Sequence, residues 1–221
     1  MKILVNFCGL KVLNCWMNIN KDTIIFGSFS LNPGNNGCEF FNEKFKENNI
    51  NAIYKSFFSD DIYVSYKSAK SLRFGGFAVS MPHKLNILEL ADKIDINAKN
   101  IGAGNTILFN NDKSTLFNTD WIAVRDYLSD MNIEFLTILG NGGFSRAVQY
   151  ACKSLEIDFN VVTRKNWSEI KNTESFIFNA TPAEVNFADK KIIDGRPHTD
   201  PGKSIARLQA VKQYEIYSEL F

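Results

Sequence analysis

Apolar and polar positions along this chain fall into two rhythms, and their order predicts a fold. DTIIFGSFS (22–30) is an apolar run with a polar end, and NAIYKSF (51–57) alternates; both predict strands. Between them, LNPGNNG holds too much Gly, Asn and Pro for regular structure, while CEFFNEKFKENN sets Phe40, Phe41 and Phe45 at helical spacing. DDIYVSYKSAKSLR predicts a helix, FGGFAVSM (74–81) a buried strand, NILELADKID (86–95) a helix, NTILFNN (105–111) a strand and NNDKS a turn. TDWIAVRDYLSDMN (119–132) predicts another helix, with Thr119 or Asp120 near its N-cap. FLTILGNGGFSRAVQYACKSLEIDFNVVTR is a strand, glycine turn, helix and strand; SFIFNATP is one more strand, and GKSIARLQAVKQYEIYSELF an amphipathic helix. Strands alternating with helices predict an α/β architecture with parallel sheets. The chain changes character near residue 120, which predicts two domains.

Composition narrows the classes. With 221 residues, 45% hydrophobic, 22% charged and a net charge of +1, this is an ordinary soluble balance, long enough for a real core. Near-zero charge argues against a polyanion binder, so no nucleic-acid partner is expected. Cys8, Cys15, Cys38 and Cys152 show no CxxC or CxxH spacing, and with two histidines no metal site is expected. Reduced thiols in a cytoplasmic protein are the default expectation. The apolar N-terminus is broken by Asn6, Lys11 and Asn14 and reads as an extra structural segment rather than a leader. No later stretch approaches a membrane span, so no membrane partner is expected.

The candidate chemistry begins at LGNGGFSRA, between a strand and a helix. There, a turn of Gly140, Asn141, Gly142 and Gly143 can bring backbone N–H groups and a helix N-terminus to a pyrophosphate. A tight turn that binds nothing is the plain alternative, because the motif is not the full GxGxxG and Phe144 occupies a crowded position. The next strand ends in Thr163, Arg164 and Lys165, where an acidic residue would favour the ribose hydroxyl of NAD. Arg and Lys suit the 2′-phosphate of NADP instead, with NAD the less favoured cofactor.

Three polar stretches stand at the ends of apolar elements, where α/β proteins build sites: SMPHK with Lys84, IGAGNT with Asn105, and FNTDW with Asp120. Singly, these read as a loop charge, a turn residue and a helix cap. Their order carries more. SFS, VSMPHK, IGAGNT, FNTD, LGNGGFSRA, NATP and LQAVKQY closely resemble the shikimate dehydrogenase pattern of HSxS, NVTxPHK, IGAVNT, NTD, GAGGAxRA, NATP and a terminal Gln-containing helix. The resemblance runs from Asp22 nearly to the end, and the loop NPGNNGCEFFN looks nearer to the divergent shikimate dehydrogenase-like branch.

The resemblance implies an N-terminal α/β substrate domain (1–118 with the C-terminal helix 204–221) and a shortened Rossmann-like NADP-binding domain (119–203). It implies Lys84 and Asp120 as the catalytic pair, facing each other across the cleft. Ser28 and Ser30 match the serines that hold a substrate carboxylate, with Ser30 and Asn32 as an alternative register. Ser80, Asn105 and Gln209 match further substrate contacts; Gly140, Asn141, Gly142 and Gly143 would cradle the cofactor phosphates, and Asn179, Ala180 and Thr181 would line the nicotinamide side. His83 is expected to be structural. The implied function is NADP-linked interconversion of shikimate, or a related cyclic polyol acid such as quinate, with its ketone, by a monomer or homodimer.

Three departures leave a second reading open. Ala78 stands in place of the pattern's Asn, IIDGRPHT carries Gly195 and Arg196 where a Tyr is usual, and about one βα unit is missing before GKSIARLQA. A non-catalytic descendant that binds a shikimate-like acid as a sensor or partner module would tolerate all three. Retention of Lys84 with Asp120 argues for the enzyme.

Overall fold

In the computed structural model the protein is described over residues 19–221 apart from 174 and 188. The expected N-terminal extension falls, up to residue 18, outside the described residues.

Two sheets organise the chain. The first takes β1 (Ile24–Ser30), β2 (Ala52–Phe58), β3 (Gly76–Val79), β4 (Lys93–Ile94), β5 (Thr106–Asn110) and β6 (Lys113–Phe117), in the order β2-β1-β3-β5-β6-β4. Helices α1 (Asn36–Glu47), α2 (Ile62–Ser71) and α3 (Ile96–Ile101) belong to this half. After α4 (Asp120–Leu128), the second sheet takes β7 (Phe135–Leu139), β8 (Asp158–Val162), β9 (Phe176–Asn179) and β10 (Ile192–Asp194). Its order is β10-β9-β7-β8, with every pairing parallel. Helix α5 (Gly143–Ser154) joins β7 to β8, and α6 (Asp200–Tyr217) follows β10.

Two expectations are corrected here. The first sheet is mixed, not parallel, because β3–β5 and β5–β6 pair antiparallel. The cause is local: Asn111 and Asp112 hold φ values of 50° and 62°, the paired left-handed geometry that closes a two-residue hairpin. What read as a plain turn therefore returns the chain as β6. The helix expected over 86–95 is only one 3₁₀ turn, Asn86–Glu89, before β4. Asp92 draws the chain onto β6, its carboxylate accepting from Ser114 N and Oγ at 2.8 and 3.0 Å while its own N–H donates to Ser114 Oγ at 2.9 Å. Those bonds, backbone first, with Lys70 added, hold the Asp92 carboxyl below the usual carboxylate range.

Packing explains how the halves meet. Leu128, Leu136, Ile138, Val148 and Ile205 share one core at the second sheet, whereas Phe26, Phe41, Phe45 and Tyr217 share another at the first. Thus α6 contributes Ile205 to one core and Tyr217 to the other, and ties the sheets together. Its start is set by Thr199, whose Oγ1 accepts from Gly202 N at 3.1 Å, and by Pro201 in the first turn. The Tyr217 ring lies 4.4 Å from that of Phe26, and its hydroxyl accepts from Gln213 Nε2 at 2.6 Å. Among the described residues no helix is long and apolar enough to cross a membrane.

Candidate active site

Lys84 sits where β3 runs out at the edge of the first sheet. Ser80 N donates to Phe29 O at 3.1 Å and His83 N to Ser80 O at 2.9 Å, which folds SMPHK into a tight turn around a cis Met81–Pro82 bond. His83 is buried, and its Nε2 bonds Ser59 O at 2.9 Å, so the imidazole anchors the turn. The next side chain reaches across: Lys84 Nζ donates to Asp120 Oδ2 at 2.6 Å, with the two side chains 17% and 8% exposed. Asp120 opens α4, where the helix dipole favours a carboxylate.

A mostly buried ion pair is weak evidence for stability, since desolvation offsets much of its attraction. What surrounds this one is a supporting network. Asn105 Nδ2 donates to Asp120 Oδ1 at 3.0 Å and to Thr119 Oγ1 at 2.9 Å, and Asn105 Oδ1 accepts from Thr119 N at 2.7 Å. Gln209 Nε2, reaching back from α6, donates to Thr119 Oγ1 at 2.9 Å and to Gln213 Oε1 at 2.9 Å. The two carboxylate oxygens of Asp120 are thereby held by different partners, which fixes its plane and aims Lys84. Thr119 stands at the N-cap position of α4, as expected, and is also the hub of this network, a role that only the FNTD stretch could have signalled.

The serines stand apart from this network. Ser28 Oγ donates to Ser56 Oγ at 3.0 Å, and Ser56 Oγ to Gly34 O at 2.7 Å, toward α1 and its preceding loop. Ser30 is buried at the end of β1, and Ser80 is exposed just beyond neighbouring β3. These two share the sheet edge from which Lys84 projects. Ala78, in β3, lies beside Ser28 in β1 and Thr106 in β5.

The cofactor side is more open. Gly140 has φ 101°, and Ser145 Oγ closes the turn on Gly140 O at 2.6 Å. A Cβ at Gly143 would stand 2.8 Å from Lys84 Cβ, so only glycine lets the turn pass over the lysine. A Cβ at Gly142 would meet nothing within 4 Å, and Asn141 is exposed, leaving the α5 N-terminus accessible to a phosphate. Thr163 is tied to Asn166, its N–H donating to Oδ1 at 2.8 Å, while Arg164 and Lys165 are exposed without an ion pair among the described residues. Buried Asn179 shapes its own loop: its Oδ1 accepts from Thr181 N and Oγ1 at 3.0 and 2.7 Å, and its Nδ2 donates to Ala183 O at 2.9 Å and Asp194 Oδ1 at 3.2 Å. Partial burial pushes Asp194 up, but the Arg196 fork on it outweighs that and holds its carboxyl below the usual range.

Fold and site together define a class: an α/β protein with a mixed sheet, a parallel nucleotide-type sheet and a lysine–carboxylate pair at their seam. A family model described as the shikimate dehydrogenase substrate binding domain matches residues 36–107. The shikimate dehydrogenase-like protein of Haemophilus influenzae is 36% identical over 140 residues, covering 62% of this chain and 51% of that relative. The NADP+ shikimate dehydrogenase of Aquifex aeolicus is 30% identical over 188 residues, covering 80% of this chain and 66% of the relative. A solved shikimate 5-dehydrogenase-like protein superposes with a TM-score of 0.75 at 25% identity, over 91% of this chain and 93% of that one. The chain belongs to the shikimate dehydrogenase family. Its matched stretches span roughly half to two thirds of the length of these two relatives.

Proposed function

We propose that this chain is an NADP-dependent oxidoreductase that interconverts shikimate, or a closely related cyclic polyol acid such as quinate, with the corresponding ketone. The observation that carries this reading is the Lys84–Asp120 contact of 2.6 Å, held at the sheet edge by Asn105, Thr119 and Gln209. The residues on the cofactor side fit a dinucleotide: an open glycine turn at the N-terminus of α5 for the phosphates, and exposed Arg164 and Lys165 for a 2′-phosphate. When bound, that cofactor supplies hydride acceptance and donation. The names of relatives from Aquifex aeolicus and Methanococcus maripaludis, both NADP+ shikimate dehydrogenases, support the same choice.

This chain's own part is proton handling. In ketone reduction the Lys84 ammonium donates a proton to the carbonyl oxygen as negative charge develops there. In alcohol oxidation the hydroxyl proton passes back into the Lys84–Asp120 pair. Asp120 keeps the ammonium aimed, and Asn105 keeps Asp120 from rotating. Ser30 and Ser80, at adjacent strand ends, offer hydroxyls for the substrate carboxylate, with Ser28 behind them.

One observation favours a second reading, a shikimate-like binder without turnover. Among the described residues the second sheet has four strands, with a 3₁₀ segment rather than a full helix between β8 and β9. The test is absorbance at the NADPH band with purified protein, NADP or NAD, and shikimate or quinate. Reduction of NADP with either acid supports the enzyme. Silence with every pairing, while shikimate raises the melting temperature, supports the binder.

A further inference from the structure

The ammonium of Lys84 has a second neighbour besides Asp120: the ring of Phe144, whose centroid lies 5.5 Å from Nζ. Phe144 is the second residue of α5, directly after the glycine that passes over Lys84, and it replaces the small residue of the resemblance's GAGGAxRA stretch. Its ring is half-buried and wedged from the far side by the second sheet. The Phe178 ring stands 6.0 Å away, tilted by 56°, and a Cβ at Gly195 would lie 2.8 Å from Phe144 Cε1. Gly195 and Arg196 stand where the resemblance's pattern carries a tyrosine. The Phe144 ring therefore lies between Gly195 and the lysine.

An aromatic face attracts an ammonium through its quadrupole, most strongly where water is thinned out. Here the lysine comes from the first sheet, while the ring and the carboxylate reach it from α5 and α4. We propose that Phe144 is a positioning residue that holds the Lys84 ammonium against Asp120. The kinetic part of this claim rests on the dehydrogenase reading; the placement of the ammonium does not.

The test uses Phe144→Leu, which keeps apolar volume but loses the ring, with Phe144→Tyr as the conservative control. In protein reductively methylated with ¹³C, the Lys84 methyl resonance is identified by its loss in Lys84→Arg. In wild type and Phe144→Tyr it should stand upfield through ring-current shielding, and in Phe144→Leu it should move back toward the exposed lysines. In turnover, Phe144→Leu should lower kcat about 3- to 30-fold with KM for the cyclic acid nearly unchanged, while Phe144→Tyr stays near wild type. A Lys84 resonance that is not shielded in wild type, or that does not move in Phe144→Leu, overturns the proposal, as does a Phe144→Leu kcat equal to wild type. If wild type turns over no substrate yet the resonance shifts as described, the positioning claim stands and the dehydrogenase reading falls.

Discussion

The two halves of the site are built differently. Around Lys84, every polar side-chain atom of Asn105 and Asp120 is committed to a neighbour, and the bonds run on through Thr119, Gln209 and Gln213 to Tyr217 in the first core. Around the glycine turn, Asn141, Arg164 and Lys165 are exposed and Gly142 faces open space. The difference fits what the proposed function asks of each half. A proton-handling pair needs a fixed geometry before substrate arrives, because loose groups must be ordered again at each turnover. A dinucleotide brings its own negative charge and needs an accessible helix end and free cations.

Substitutions in the two halves should therefore fail in different ways. Lys84→Ala, which removes the proposed proton donor, should lower kcat about 10²- to 10⁴-fold while shikimate still raises the melting temperature. Arg164→Ser should raise KM for NADP roughly tenfold, leave kcat near wild type and leave any weak NAD reaction unchanged. An equal loss with both cofactors would break the assignment of the 2′-phosphate to Arg164. Asn105→Ala leaves Thr119 N and Asp120 Oδ1 without their partner, so urea unfolding should show a loss of about 1–3 kcal/mol. A neutral result there would mean that water replaces the amide and that the network around Lys84 is less closed than its geometry implies.

Much of this was legible in the sequence, for a physical reason. Strand ends carry the chemistry in α/β folds, and SMPHK, IGAGNT and FNTD each set polar residues after or before an apolar run. Lys84, Asn105 and Asp120 do come together in the structure, although 36 residues separate the two members of the ion pair. What was missed depended on contacts that no local pattern encodes. The 86–95 segment has helical apolar spacing, but Asp92 and Ser114 decide its path from 22 residues apart. The strand β6 hid behind a turn whose Asn-Asp geometry was legible as a hairpin and was read only as a stop. Gln209 entered through the resemblance alone, since nothing in an amphipathic helix says which polar side chain will turn inward. Phe144 showed as crowded in the sequence, but its contact with Lys84 appears only in the folded chain.

The claim at the centre is that Lys84 and Asp120 work as one unit. The most direct measurement is kcat for wild type, Lys84→Ala, Asp120→Asn and the double variant, with each protein's folding checked by its melting temperature. Groups that act together are strongly non-additive, so the double variant should be about as slow as the slower single one. Losses that simply multiply would mean that the two residues act independently, and that the contact between them is not the device that moves the proton.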